Sequence, residues 1–395
     1  MCLRYVKAGE KVITNSNPLT IRKNTKRGTD TMKNYELHGY RAKPICDMHM
    51  HPHVEAPLSE SVQVYKDVCE HFNYEKIVLQ ALPYYESINN YKTLYFKAQG
   101  NGSIYANLGR FHHYDERDTK EFYENQIKTF YDMGCDGIKL YEGKPECRKV
   151  FGRSLCDPVL DKFYEFVEEK QLPMVIHFGD PREFWDINKI PKWALERGWL
   201  YDASFVHFDA LQKEVEGILE KFPKTQLVLA HFFFVSDDID YAVNFMEKWE
   251  NVTFDVTPGT EMFFNFNDKP DEWKAFFIKY ADRILYGSDI YNWHREGKTI
   301  EEKYSHAVNL VRSFFEKKET FVDKWTTRTF DHPFGFTDDI LDKLYHDNFI
   351  RLFGETPRPL DNDRIVYELK RDLPELKLND ITRQNVDDML AFFSK

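Results

Sequence analysis

From residue 44 onward, short apolar runs alternate with longer stretches in which apolar positions recur every three or four residues. The short runs read as strands over 44–50, 76–81, 104–109, 136–141, 173–178, 226–231, 251–256 and 283–288. The longer stretches read as helices. Val159, Leu160, Phe163, Phe166 and Val167 form one core-facing stripe, and Leu211, Val215, Ile218, Leu219 and Phe222 form another that Pro223 ends. Repeated βα units over residues 44–354 predict an α/β fold, a (β/α)8 TIM barrel, with its active site at the C-terminal ends of the strands. The alternative, an open doubly wound sheet, calls for a glycine-rich phosphate loop after the first strand, where this chain reads HPHVEAPL.

Two segments lie outside the repeat. Residues 1–43 are polar and irregular and predict an N-terminal extension. Residues 355–395 carry TPRPLDND from Thr356 and then apolar positions such as Ile365, Leu369, Met389 and Phe393. They predict C-terminal helices packed on the barrel or on another subunit of a homo-oligomer.

Composition narrows the classes. The chain has 395 residues, 42% of them hydrophobic and 16% aromatic, which is ample for a globular core. A net charge of −11 argues against a nucleic-acid partner, and the basic segment around Arg22, Lys23, Lys26 and Arg27 is short and flanked by polar residues. The six cysteines show no C-x-x-C spacing, so reduced thiols are expected rather than a disulfide framework. No signal-peptide core and no apolar run of about 18 residues is present, which points to a cytoplasmic protein that neither spans nor binds a membrane.

Chemistry enters at ICDMHMH, residues 45–51. On a strand, residues two apart share a face, so Asp47, His49 and His51 are expected to converge as half of a metal site, the carboxylate fixing an imidazole or joining the ligands. Four further strands end in Lys139 (GIKLYEG), His177 (MVIHFGDP), His231 (LVLAHFFF) and Asp289 (ILYGSDIYNW). Each alone could be a hydrogen-bonded core residue; together, at one end of a parallel barrel, they suggest a site. His49, His51, His177 and Asp289 offer three nitrogens and one oxygen, a set suited to one Zn²⁺ ion and tolerable for Mn²⁺ or Fe²⁺. Asp289 is expected to take a proton from the metal's water, and His231 to bind metal, act as general acid or stabilise an oxyanion.

These motifs resemble the amidohydrolase superfamily, in its amidohydrolase 2 branch, which includes aminocarboxymuconate-semialdehyde decarboxylase-like enzymes. The resemblance covers roughly residues 44–354 and rests on D-x-H-x-H at Asp47, His49 and His51, VIHFGDP, VLAH, ILYGSD and the closing LDKLYHDNFIRLFG. It implies that His49, His51, His177 and Asp289 hold a metal and that His231 is catalytic or holds a second one. In binuclear members a fourth-strand lysine is carboxylated and bridges two metals. Lys139 stands at that position, although an ordinary ammonium that binds a substrate anion or pairs with a carboxylate is the expectation here.

Loops at the catalytic end carry Arg110, His112, Arg182, Trp185, Trp293 and His294. Arg110 and Arg182 are read as anchors for a substrate carboxylate, and Trp185 and Trp293 as ring contacts. The competing reading is loop packing and pairing with Asp115, Glu116, Asp180 or Glu183. Phe232, Phe233 and Phe234 are read as core and pocket wall. The expected function is a metal-dependent hydrolase of a C–N, ester or lactone bond in a small, carboxylated molecule. The alternative is a non-oxidative decarboxylase of an aromatic or unsaturated acid. A catalytically silent barrel would need a lost ligand position, and none is lost.

Overall fold

All eight expected strands form, and each pairs in parallel with the next in chain order. The computed structural model describes residues 36, 38–291 and 299–395. The strands are β1 (Ile45–Met50), β2 (Tyr74–Gln80), β3 (Ile104–Gly109), β4 (Gly137–Gly143), β5 (Met174–Phe178), β6 (Leu227–Leu229), β7 (Val252–Asp255) and β8 (Ile284–Leu285). The helices between them are α1 (Leu58–Phe72), α2 (Asn89–Gln99), α3 (Lys120–Met133), α4 (Pro145–Phe151), α5 (Asp161–Lys170), α6 (Lys192–Glu196), α7 (Phe208–Lys221), α8 (Ile239–Lys248), α9 (Thr260–Asp268) and α10 (Pro270–Lys279). After β8 come α11 (Ile300–Glu316), α12 (Asp338–Asp342), α13 (Asn348–Phe353), α14 (Asn362–Asp372) and α15 (Asp380–Phe393). The architecture is a (β/α)8 barrel. Among the described residues, no helix is long and apolar enough to cross a membrane.

Alternation along the strands separates two cores. Ile77, Leu79, Ile138, Leu140, Met174 and Ile176 join the helices in the large outer core. Their neighbours Val78, Val175 and Val228 join Cys46, Met48, Tyr105 and Leu285 in a smaller inner one. Phe349 and Phe353 of α13 belong to that inner core as well. The Phe349 ring stands 5.2 Å from Tyr105, whose hydroxyl donates to the Gly354 carbonyl at 2.8 Å. Since Tyr105 lies near the start of β3, α13 plugs the N-terminal mouth and leaves the other end for chemistry.

The seam between β8 and β1 is irregular. β8 pairs with β7 over only two residues, and closure onto β1 runs through three backbone bonds: Met48 N–H to Tyr286 O at 3.1 Å, Asp289 N–H to His49 O at 2.8 Å, and His51 N–H to Ile290 O at 2.9 Å. The sixth and eighth strands are therefore shorter than their apolar runs predict, because the chain leaves the ladder where it places His231 and Asp289.

The C-terminal helices fold onto their own barrel. Asn385 of α15 accepts from Leu58 N–H and donates to the Ala56 carbonyl, and Phe392 packs on Tyr95 of α2 at 5.1 Å. Preceding β1, the Tyr40 hydroxyl meets Ser313 of α11 and Arg41 N–H donates to Glu316.

Phe349 fills the barrel floor with almost no exposure. Phe349→Ala should cost about 3–5 kcal/mol of stability. Denaturant unfolding at unchanged m-value checks this, and a loss below about 1 kcal/mol would show that α13 does not plug the barrel.

Candidate active site and metal centre

Three side chains converge at the C-terminal mouth. One ligand atom each of His49, His51 and Asp289 lies within 4.8 Å of the others, and His51 Nε2 is 3.2 Å from Asp289 Oδ1. Both imidazoles are held from behind. His49 Nδ1 donates to Asp255 Oδ2 at 2.8 Å and His51 Nδ1 donates to the Gln80 carbonyl at 2.8 Å, which leaves each Nε2 lone pair turned to the centre. This donor set fits a divalent ion such as zinc. Burial pushes the Asp289 carboxyl up, but the hydrogen bond and charge of His51, with His231 and His49, outweigh it and hold Asp289 well below the carboxylate range.

Asp47 has a different place from the one alternation predicts. Cys46 and Met48 face the inner core, and the register with β2 breaks between Asp47 and Met50, so Asp47, His49 and His51 do not share one face. Asp47 is fully buried and accepts from the backbone N–H groups of His49 and Ser288. Burial pushes its carboxyl up to about 7. It anchors the β1–β8 seam; the carboxylate on the His49 ring is Asp255.

Asp255 closes β7 and was not singled out by its sequence context. Its Oδ2 takes the His49 ring, and its Oδ1 accepts the His231 and Thr257 N–H groups at 2.8 and 3.1 Å. The signal was available, since VTFDVT ends an apolar strand in a carboxylate as the other site strands end in His or Asp. Gln80 at the end of β2 belongs to the same class. Close packing completes the seam: a Cβ at Gly287 would lie 2.2 Å from Thr257 Oγ1 and 2.8 Å from His49 Cβ.

The remaining histidines extend the centre as a row of rings. His231 stands 5.4 Å from His49, and His177 stands 4.8 Å from His231. His231 Nδ1 donates to the Thr257 carbonyl at 3.2 Å, so its Nε2 also faces inward. His177 lies outside the three-residue cluster. Its Nε2 is buried with no hydrogen-bond partner, the nearest carboxylate oxygen being Asp180 Oδ1 at 3.9 Å. Burial lowers the basicity of both rings, His177 to about 3, so they are neutral at pH 7.

β6 ends in an unusual backbone. His231, Phe232, Phe233 and Phe234 all have φ between 48° and 55°, the left-handed region that costs L-residues roughly 1–2 kcal/mol each. Packing compensates. Phe232 is surrounded by Phe254, Phe266, Trp273 and Phe277, and Phe233 lies against Phe178 and Phe245. Phe234 instead stacks on His231 at 5.3 Å, so the run is both core and pocket wall.

Lys139 Nζ is 3.2 Å from His49 Nε2, and burial pushes its basicity down to about 8 against the opposing charges of Asp255 and Asp289. One lone pair cannot serve both an ammonium and an ion, so an ion at His49 displaces this contact.

The two arginines expected to anchor a carboxylate are committed elsewhere. Arg110 is buried, donates to Glu142 Oε1 at 2.7 Å and to the Tyr164 hydroxyl at 3.2 Å, and lies over the Phe163 ring of α5. It therefore points to the helical layer. Arg182 pairs with Asp209 at 2.6 Å and Asp237 at 3.4 Å over Phe208. Trp185 donates to the Val206 carbonyl and packs on Tyr201 and Phe208 within the loop after β5. Trp293 and His294 lie outside the described residues.

The sequence profile described as "Amidohydrolase" matches residues 46–354. The chain belongs to the amidohydrolase family. The Metarhizium anisopliae IDCase in apo form superposes with a TM-score of 0.51 at 13% identity, covering 80% of this chain and 98% of that one. The 2,6-dihydroxybenzoate decarboxylase from Rhizobium gives 0.47 at 15% identity over 79% and 98%. A putative amidohydrolase from Staphylococcus aureus gives 0.48 at 13% over 79% and 99%. No curated protein matches in sequence.

Both Asp255 oxygens accept hydrogen bonds, so an amide must turn an NH₂ group on an N–H donor. Asp255→Asn should weaken divalent-metal binding by about 10- to 100-fold. Chelator competition on protein of unchanged circular dichroism checks this, with Asp255→Glu as the rescue variant.

Proposed function

We propose that this chain is a mononuclear metal-dependent hydrolase that cleaves a C–N, ester or lactone bond of a small molecule. One observation carries the reading: two imidazole Nε2 atoms and an Asp289 oxygen meet at the barrel mouth with both Nδ1 atoms already bound from behind. We assign the ion to His49, His51 and Asp289, with His177 as fourth ligand, because its Nε2 is buried beside this centre without a partner. Three nitrogens and one carboxylate favour Zn²⁺, with Mn²⁺ and Fe²⁺ tolerated. When bound, such an ion lowers the pKa of a coordinated water from about 15.7 towards about 7.

The chain's own groups handle the protons. Asp289 keeps 28% of its side chain exposed and has a second carboxylate oxygen to accept one. His231, neutral and oriented through Nδ1, offers Nε2 as a base that then returns the proton to the leaving group. Lys139 acts as an ammonium beside the centre, not as a carbamate, and one ion suffices. With Arg110 and Arg182 paired to acids, nothing in the arginines selects an anionic substrate.

Decarboxylation of an aromatic or unsaturated acid is the second reading, favoured by the rings that line the site next to His177. Incubating zinc-loaded protein with amides, lactones, esters and aromatic acids separates the two: hydrolysis without CO₂ supports the first, and CO₂ release replaces it with the second. On the substrate so found, His231→Asn should lower turnover by about 10²-fold or more with one ion retained, and loss of the ion would make His231 a ligand.

A complementary prediction concerns His177. His177→Ala should remove most of the bound zinc by elemental analysis, and full occupancy in that variant would strike it from the ligand set.

A further inference from the structure

A wall of rings leads out of the site. Tyr141 of β4, two residues beyond Lys139, stands 5.1 Å from the His177 ring. Tyr85 follows at 5.6 Å from Tyr141, and Tyr84 at 5.1 Å from Tyr85. The hydroxyls of Tyr85 and Tyr141 are bonded to each other at 2.9 Å, which ties the two rings together edge to face at 64°. Tyr84 and Tyr85 are 39% and 37% exposed. Phe234 also lies near His177, at 6.0 Å, and stacks on His231. Tyr84 also lies 6.3 Å from Tyr141, so the three tyrosines form one cluster, and the path from solvent to His177 takes two ring-to-ring steps, more than a single six-membered ring can cover.

The chemistry of the wall is uncharged. Burial pushes both phenols of the bonded pair far above their ordinary range, so they stay neutral. The cations on the adjoining loops are committed: Arg110 to Glu142, and Lys144 to both oxygens of Asp180 at 2.9 and 2.7 Å. A cluster of mutually inclined rings with hydroxyl edges, beside loops whose Arg110 and Lys144 are paired to acids, suits a planar, neutral group with a polar edge that packs edge to face or offset.

We propose that Tyr84, Tyr85 and Tyr141 form a distal subsite that binds a second planar, uncharged group of the substrate, so that the substrate reaches from the metal centre to the rim. The inference rests on the metal-centre reading for the inner end of the substrate only.

Matched metal-binding probes test it by calorimetry, without turnover. Zinc-loaded protein should bind 4-phenylbenzohydroxamic acid about tenfold more tightly than benzohydroxamic acid, since the added ring lies on the tyrosines. The double variant Tyr84→Ala/Tyr85→Ala should retain zinc and benzohydroxamate binding within about twofold and lose the advantage of the second ring. Tyr85→Phe, which keeps the ring, should retain most of it. Equal affinity of the two probes for the native protein overturns the proposal, as does a second-ring advantage that survives the double variant. So does tighter binding of the 4-trimethylammonium analogue than of the phenyl one. If neither hydroxamate binds, the metal reading fails rather than the subsite. The subsite is then decided by 2-naphthol against phenol on metal-free protein, with the same tenfold expectation and the same double variant.

Discussion

The carboxylate of Asp255 is the contact on which the site depends. It sits at the end of β7, fully buried, and its two oxygens serve three strands: the ring of His49 from β1, the N–H of His231 at the end of β6, and its own strand's continuation at Thr257. A buried carboxylate is costly unless its lone pairs are filled, and here the groups that fill them are those that set ring orientation and backbone path. His49 can present Nε2 because Asp255 occupies Nδ1. The Thr257 carbonyl, two residues on, fixes His231 in the same sense.

Around that contact the barrel tolerates irregularity where function needs it. The seam of β8 and β1 lacks a regular ladder, yet Asp47 and three backbone bonds hold it and bring Asp289 to His51. The left-handed run from His231 to Phe234 carries backbone strain of a few kcal/mol. Burying two phenylalanines in the core offsets strain of that size, at about 2–3 kcal/mol each. The same turn lets the third stack on His231 as site wall.

Charge follows a similar logic. The cations nearest the ring wall are paired with acids, Arg110 with Glu142 and Lys144 with Asp180, which leaves neutral rings beside His177. At the centre, His177 Nε2 stays buried and open. An unpaired imidazole nitrogen beside a cluster of inward-facing donors is the physical mark of a site that binds something.

Much of the fold was legible in the chain, because a parallel strand buried on both faces must be an apolar run and a surface helix must show its stripe. The order of elements and the placing of His49, His51, His177, His231 and Asp289 at or just beyond the C-terminal ends of their strands follow from such local patterns. What lay beyond reach were the relations between strands. Period-two alternation put Asp47 with the histidines, but a bulge, set by closure of β1 on β8, turned it to the seam. Arg110 and Arg182 read as free forks because their partners, Glu142, Asp209 and Asp237, lie on other elements and meet them only in the folded barrel. Asp255 and the tyrosine wall have the same origin. Sequence by itself determined which residue types stand at the ends of which strands, since burial and periodicity act within a segment. Tertiary structure decided which of them touch, since hydrogen-bond partners and ring contacts depend on distances that only the closed barrel sets.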